Sequence, residues 1–280
     1  MILILVVDDF DGEVERVTAT RCGALGPQRR FDATAAFAVV FLPLNIDELV
    51  VHLDHVDHLR PRVVSHQIKD DKGKDTFIGL VGEYQGTIVC DALKTHEAGA
   101  RDSPGVQLAA CWAHVFRKFK EAEADHPEAG LATRWIGELY EIDAKAGNNL
   151  ELRAELRRTE STHVLEKLKT WLWSQALLKT LSIGKAAGYA IANWERLKRF
   201  TEDPRIPLDN NATERGIRGP VVGRKNHYGS KSRRGTIAAA TLYSLIETAK
   251  LHGVNPATYL REAVLASRRG EVLLPWQLAN

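Results

Sequence analysis

Gly86-Thr-Ile-Val-Cys90 is a short apolar run that stops at Asp91, and Val106-Gln-Leu-Ala-Ala-Cys-Trp112 is a second such run. The segment between them contains Pro104-Gly105 and is too short for anything but a turn or a small helix. Two such runs joined in this way suit an α/β unit. A carboxylate placed directly after an apolar strand, as Asp91 is, falls at the strand end where open α/β sheets hold their ligands. A solvated turn aspartate is the plainer alternative for such a residue.

Outward from this pair the texture changes. From Ala113 to about Arg199 the pattern is helical. Leu131, Trp135, Ile136, Leu139 and Ile142 recur at three- and four-residue steps, as do Leu165, Leu168 and Leu172, with charged residues on the other face. Trp112, Trp135, Trp171, Trp173 and Trp194 mostly fall on the apolar faces, where core packing is their expected role. A last strongly periodic helix is expected from about Thr236 to Leu251, closed by His252-Gly253.

Residues 1 to about 66 are less ordered in pattern. Ile2–Val7 and Val14–Thr18 could form a strand-turn-strand around Asp11-Gly12. His52, His55 and His58 would share one side of a helix, as in a zinc site. Without a cysteine or an HExxH beside them, an accidental histidine-rich stretch is the simpler explanation.

Composition sets bounds. With 44% hydrophobic and 26% charged residues, the chain of 280 residues can bury a real core. A net charge of +2 leaves the partner undecided. Cys22, Cys90 and Cys111 form no CxxC pair and no disulfide framework, which points to a reducing cytoplasm. The apolar start meets Asp8 and Asp9 far short of the roughly 20 residues of a membrane span, and no later apolar run reaches spanning length, so a soluble protein is expected.

The distribution of charge says more. In Leu208-Asp-Asn-Asn-Ala-Thr-Glu-Arg-Gly-Ile-Arg218, any of Asp209, Asn210 or Asn211 could cap a helix, and Asn211 to Glu214 has capping-box spacing. That alone would explain Glu214. After it come Arg215, Arg218, Arg224, Lys225, His227, Lys231, Arg233 and Arg234, with no acidic residue among them and glycines at 219, 223, 229 and 235. A one-signed, glycine-punctuated loop suits a phosphate backbone, since glycines let main-chain amides approach it; a plain basic surface is the alternative.

Several separate motifs carry a resemblance. Cys111-Trp-Ala-His-Val-Phe-Arg-Lys-Phe119, Pro207-Leu-Asp-Asn-Asn-Ala-Thr-Glu-Arg215, Gly223-Arg-Lys-Asn226, Tyr243-Ser-Leu-Ile-Glu-Thr-Ala-Lys-Leu251 and Leu273-Leu-Pro-Trp276 together resemble the insertion-sequence-66 family of transposases, over roughly residues 70 to 280. The resemblance implies an α/β fold with an RNase H-like core and an Asp-Asp-Glu triad. In that triad Asp91 matches the second aspartate and Glu214 the glutamate, and a long helical insertion lies between them. It also implies two Mg²⁺ ions held by Asp91, Glu214 and a further carboxylate, roughly 3.5–4 Å apart, acting on the DNA of element ends and target. A homo-oligomer is compatible with this and a membrane partner is not.

The implied division is 67–114 with 205–265 as the catalytic core, 115–204 as the helical insertion, 266–280 as a tail, and 1–66 as a divergent or frame-shifted segment. The first catalytic aspartate has no matching motif. Asp8 or Asp9, after Ile2–Val7, could stand in only if that strand lies beside the one ending at Asp91. Without it, the expectation is a truncated or inactive copy that at most binds DNA.

Overall fold

The computed structural model describes residues 2–7, 39–42, 48–53, 63–69, 71, 73–82, 84–226 and 232–279. Its sheet is formed by β1 (Ile2–Val7), β2 (Val39–Leu42), β3 (Glu48–Leu53), β4 (Val64–Lys69), β5 (Gly86–Cys90) and β6 (Val106–Ala110), in the order β4-β3-β2-β1-β5-β6. Neighbours from β4 to β1 are antiparallel, β1 is antiparallel to β5, and only β5 and β6 are parallel. Helix α1 (Lys74–Val81) precedes β5, and α2 (Lys94–Arg101) makes the crossover that a parallel pair requires. Ile88 and Val89 are fully buried, which is why β5 reads as a continuous apolar run rather than an alternating one.

The direction of β1 bears on the third carboxylate. Ile4 pairs with Cys90 and Val7 with Thr87, so β1 does lie beside the strand that ends at Asp91. Running antiparallel, it ends beside the start of β5, and at about 3.4 Å per residue that is roughly 13 Å from Asp91 along the strand. Asp8 and Asp9 themselves lie outside the described residues, as do Val14–Thr18, His55 and His58. His52 is on β3, opposite Ser65 of β4, and not on a helix.

Helices build the rest: α3 (Trp112–Ala122), α4 (Gly130–Lys145), α5 (Leu150–Leu156), α6 (Thr162–Gln175), α7 (Ser182–Ala192) and α8 (Trp194–Lys198). Their buried residues keep helical spacing, such as Val115, Phe119 and Ala122 on α3 and Ala132, Ile136 and Leu139 on α4. These join Val89, Ala109 and Ala110 of the parallel strands in one hydrophobic cluster. Trp112 is fully buried at its centre, donates its indole N–H to the Leu197 carbonyl at 2.9 Å, and meets Trp194 and Phe200 edge-on. Trp173 departs from the core role expected of it: it is 57% exposed, because it lies on the face of α6 away from Leu168 and Leu172. Among the described residues no helix is long and apolar enough to cross a membrane.

Between α5 and α6 the helix widens into one π-turn, Arg157–Ser161. There Arg157, 1% exposed, forms a fork with Asp143 (Nε–Oδ1 2.6 Å, Nη2–Oδ2 3.0 Å). Its Nη1 donates to the carbonyls of Phe200, Asp203 and Ile206. One side chain thereby satisfies three carbonyls of the connector that leads out of the helical region.

The chain then forms α9 (Asn211–Asn226), α10 (Arg233–Leu251) and α11 (Pro256–Arg268). The expected glycine-rich loop from Gly219 is instead helix as far as Asn226, with Pro220 inside it. Burial of Ile217 and Pro220 outweighs the local signal of Gly and Pro. Pro220 leaves the Gly216 carbonyl without its helical donor, and the backbone of Gly216 interacts with the buried ring of His66. The contact falls short of a full hydrogen bond, since His66 Nε2 has no partner of ordinary geometry. Helix α10 starts at Arg233, capped by the Ser232 hydroxyl, and ends where expected, with Gly253 at positive φ. Thr248 and Ser244 on α10 bond the main chain of Val64 and His66, covering the open edge of β4.

Candidate metal centre

Because β5 and β6 are parallel, both deliver the chain to the same edge of the sheet. Asp91 follows β5 directly. His114 is in the first turn of α3, which starts just after β6. Glu214 is in the first turn of α9, so the third chain segment must be brought in from a distance. Three contacts do this. The Trp112 amide donates to the Leu208 carbonyl at 2.9 Å, joining the start of α3 to the approach of α9. Tyr140 donates its hydroxyl to Asp209 Oδ2 at 2.7 Å. Asn210, fully buried, donates through Nδ2 to Asp91 Oδ1 at 3.1 Å across 119 residues of sequence.

Asn210 takes the N-cap position of α9, since its carbonyl accepts from the Glu214 amide at 3.0 Å. Asp209 Oδ1 accepts from the Asn211 amide at 2.9 Å, and Asp209 Oδ2 also takes the Asn211 side chain. Glu214 is turned toward α3, where its Oε1 is 3.1 Å from Arg117 Nη2 and 4.0 Å from His114 Nε2. The capping-box explanation of Glu214 is therefore unnecessary.

His114 Nε2 is also 3.2 Å from Asp91 Oδ1. One ligand atom from each of Asp91, His114 and Glu214 lies within 4.8 Å of the others, a grouping that could hold a metal ion. The environment is partly dry. Burial pushes the Asp91 carboxyl above its ordinary value, while His114 and the Asn210 hydrogen bond pull it the other way. Burial likewise holds His114 below its ordinary value; Asp91 opposes this and Arg117 adds to it. A cation between the three would favour an ionised Asp91 and a neutral His114.

As a donor set, two carboxylates and one imidazole fit one divalent cation. Among the described residues the grouping contains no third carboxylate, so the ligands of a second ion are not visible there. Of the expected basic residues, Arg215 and Arg218 are exposed on α9, next to Glu214 and one turn on. Arg224 and Lys225 belong to the last turns of α9, and exposed Arg233 and Arg234 open α10. His227 and Lys231 lie outside the described residues. Asn210 and Arg117 had no functional reading in the sequence. The signal for Arg117 was its three-residue step from His114 on a helix that begins at a strand end.

Comparison with known proteins gives a family. The family described as "Transposase IS66 family" matches residues 50–238. Three similar proteins of Sinorhizobium fredii (strain NBRC 101917 / NGR234) each carry the name uncharacterized protein. Protein y4qI is 32% identical over 77% of this chain and 43% of its own length. Protein y4jD is 30% identical over 72% and 41%, and y4hP is 26% identical over 78% and 44%. The chain therefore spans less than half the length of these relatives. No solved structure gives a significant match.

Proposed function

The chain belongs to the IS66 family of transposases, and from that premise we propose that Asp91 and Glu214 are the visible carboxylates of a DDE-type centre for DNA cleavage and strand transfer. The observation that carries this is their convergence, with His114, to within 4.8 Å from distant parts of the sequence. In this proposal the strands and α9 belong to an RNase H-like core, and residues 115–204 are a helical insertion between the two carboxylates. The substrate is DNA at element ends and target, met in the cytoplasm.

A divalent ion held by Asp91, Glu214 and His114 supplies Lewis-acid polarisation of a phosphate ester. Mg²⁺ is the expected metal, and an imidazole ligand makes Mn²⁺ a second fitting choice. Asn210 orients Asp91 by its hydrogen bond. The cations on α9 and at the start of α10 bind the DNA backbone, in sequence-independent contacts.

A second reading, a family member that binds DNA without cutting it, is favoured by one observation: the strand before Asp8 and Asp9 ends away from Asp91. One set of measurements separates the two. Mn²⁺ titrated into the full chain should bind the wild type and lose at least ten-fold in affinity in Asp91→Asn or Glu214→Gln, on the order of what loss of a metal-site contact costs. Cleavage of linear DNA bearing the element's ends, lost in the same variants, supports the catalytic reading. Metal binding without cleavage supports the second. Equal Mn²⁺ affinity in all three proteins would remove the metal centre altogether.

A further inference from the structure

Arg117 stands beside the proposed centre without a part in it. It lies one turn after His114 on α3, and its Nη2 bonds Glu214 Oε1 at 3.1 Å. That same oxygen is the one 4.0 Å from His114 Nε2, so it is the atom Glu214 presents to the cluster. A cation seated among Asp91, His114 and Glu214 and the guanidinium of Arg117 would compete for this one oxygen. The arginine is 49% exposed and Glu214 only 22%, so Arg117 is the partner free to move. A guanidinium carries five N–H donors and pairs with phosphate as well as with carboxylate.

From this geometry, and resting on the function proposed above, we infer that Arg117 is an exchangeable counter-charge. It holds Glu214 Oε1 while the site is without metal. When a divalent cation takes that oxygen, the guanidinium swings to a non-bridging oxygen of the DNA phosphate at the same place. No bond is made or broken; one ion pair is traded for another. The exchange keeps Glu214 compensated in both states and delivers a phosphate clamp only when the metal is present. An ordinary surface ion pair would instead serve only to hold Glu214 in position, whether or not metal is there.

The two possibilities differ in the sign of a metal-binding effect. If Arg117 competes with the cation, Arg117→Gln binds Mn²⁺ about two- to five-fold tighter than wild type, the range expected for release of a half-exposed ion pair. If Arg117 merely supports Glu214, the same variant binds Mn²⁺ equally or more weakly, and the inference fails.

A labelled DNA duplex tests the second half by fluorescence anisotropy. With Mn²⁺ present, Arg117→Gln should lose about ten-fold in affinity, as for one charge-assisted hydrogen bond; without Mn²⁺ it should change less than about two-fold, because the guanidinium is then occupied by Glu214. An equal loss in both conditions makes Arg117 a plain phosphate contact and refutes the exchange. Arg117→Lys guards against a folding defect: it keeps the charge but not the fork, so Mn²⁺ affinity should stay near wild type while duplex affinity in Mn²⁺ falls. Should Asp91→Asn and Glu214→Gln leave Mn²⁺ binding intact, the metal centre itself fails. Should they abolish it while Arg117→Gln changes nothing, only the role of Arg117 fails.

Discussion

Replacing Arg157 by methionine should be among the most damaging single changes in the helical region. The side chain is 1% exposed and makes five short contacts, two to the Asp143 carboxylate and three to the carbonyls of Phe200, Asp203 and Ile206. Methionine fills much of the volume but satisfies none of these acceptors. Removing one partner of a buried ion pair costs about 3–5 kcal/mol. Asp143 keeps some relief, since its side chain is 20% exposed and Arg153 Nε is 3.7 Å away. We therefore expect the lower part of that range, about 3–4 kcal/mol. Against a total stability of about 5–15 kcal/mol the loss is large, and with a urea slope of about 3 kcal/mol/M it moves the midpoint down by about 1 M. Urea denaturation of the wild type, Arg157→Met and Arg157→Lys checks it. Lysine keeps the charge but not the fork, so it should recover less than half of the loss. A methionine variant within about 1 kcal/mol of wild type, or a lysine variant as stable as wild type, would show that the fork and its three carbonyls do not hold the connector.

Two further outcomes concern the same body. Burial holds His66 and His96 neutral, each with its pKa lowered to about 4 from 6.5. The unfolded chain therefore binds more protons between these values, and stability, complete above pH 6.5, declines as pH falls toward 4, by on the order of 3 kcal/mol per histidine. Urea midpoints from pH 7.5 to 5 should fall, and His96→Gln should flatten that dependence; an unchanged slope in the variant would refute the assignment. On α7, Gly184→Ala and Gly188→Ala should act in opposite directions. A Cβ at Gly184 would sit 1.9 Å from the Leu178 carbonyl oxygen, whereas one at Gly188 meets nothing within 4 Å. The first should destabilise by about 1–3 kcal/mol or more and the second should stabilise by about 0.5–1 kcal/mol. Thermal denaturation of both variants decides it, and equal signs would overturn the packing at Gly184.

What was legible in the sequence follows the range of the forces involved. Gly86–Cys90 could be read to the residue, because a strand buried on both faces leaves an unbroken apolar run. The helices from Ala113 onward were legible from their spacing for the same local reason, although the second apolar run continues to Trp112 while its strand ends at Ala110 and Trp112 opens α3. The direction of β1 was not, since alternation along a strand is blind to which way its neighbour runs. The stretch after Gly219 was misread because Gly and Pro are local signals. Buried Ile217 and Pro220 belong to a helix that packing sustains to Asn226. The pairing of Asp91 with Glu214 came from motif resemblance and not from spacing. Asn210 was open to reading only as a helix cap; it holds that position, but its side chain turns to Asp91 while Asp209 takes the Asn211 amide.

The helices give the proposed centre more than His114 and Arg117 of α3. Two members of the cluster are fixed by the sheet itself, since parallel β5 and β6 both release the chain at one edge. The third has no such guarantee. Glu214 arrives because Arg157 holds the carbonyls of Phe200, Asp203 and Ile206, the Trp112 amide donates to the Leu208 carbonyl, and the Tyr140 hydroxyl donates to Asp209. Each tie comes from a different helix, and each precedes Glu214 by only a short length of chain. A carboxylate must be held to within a fraction of an ångström for a cation to be shared with Asp91. Loosening the connector therefore reaches the centre as a shift of Glu214 away from Asp91, while the strands stay in place. Arg157→Met should accordingly weaken Mn²⁺ binding even at low temperature and without urea, where the protein is still folded. Mn²⁺ affinity equal to wild type in that variant would mean that the Asn210–Asp91 hydrogen bond suffices to place α9 alone.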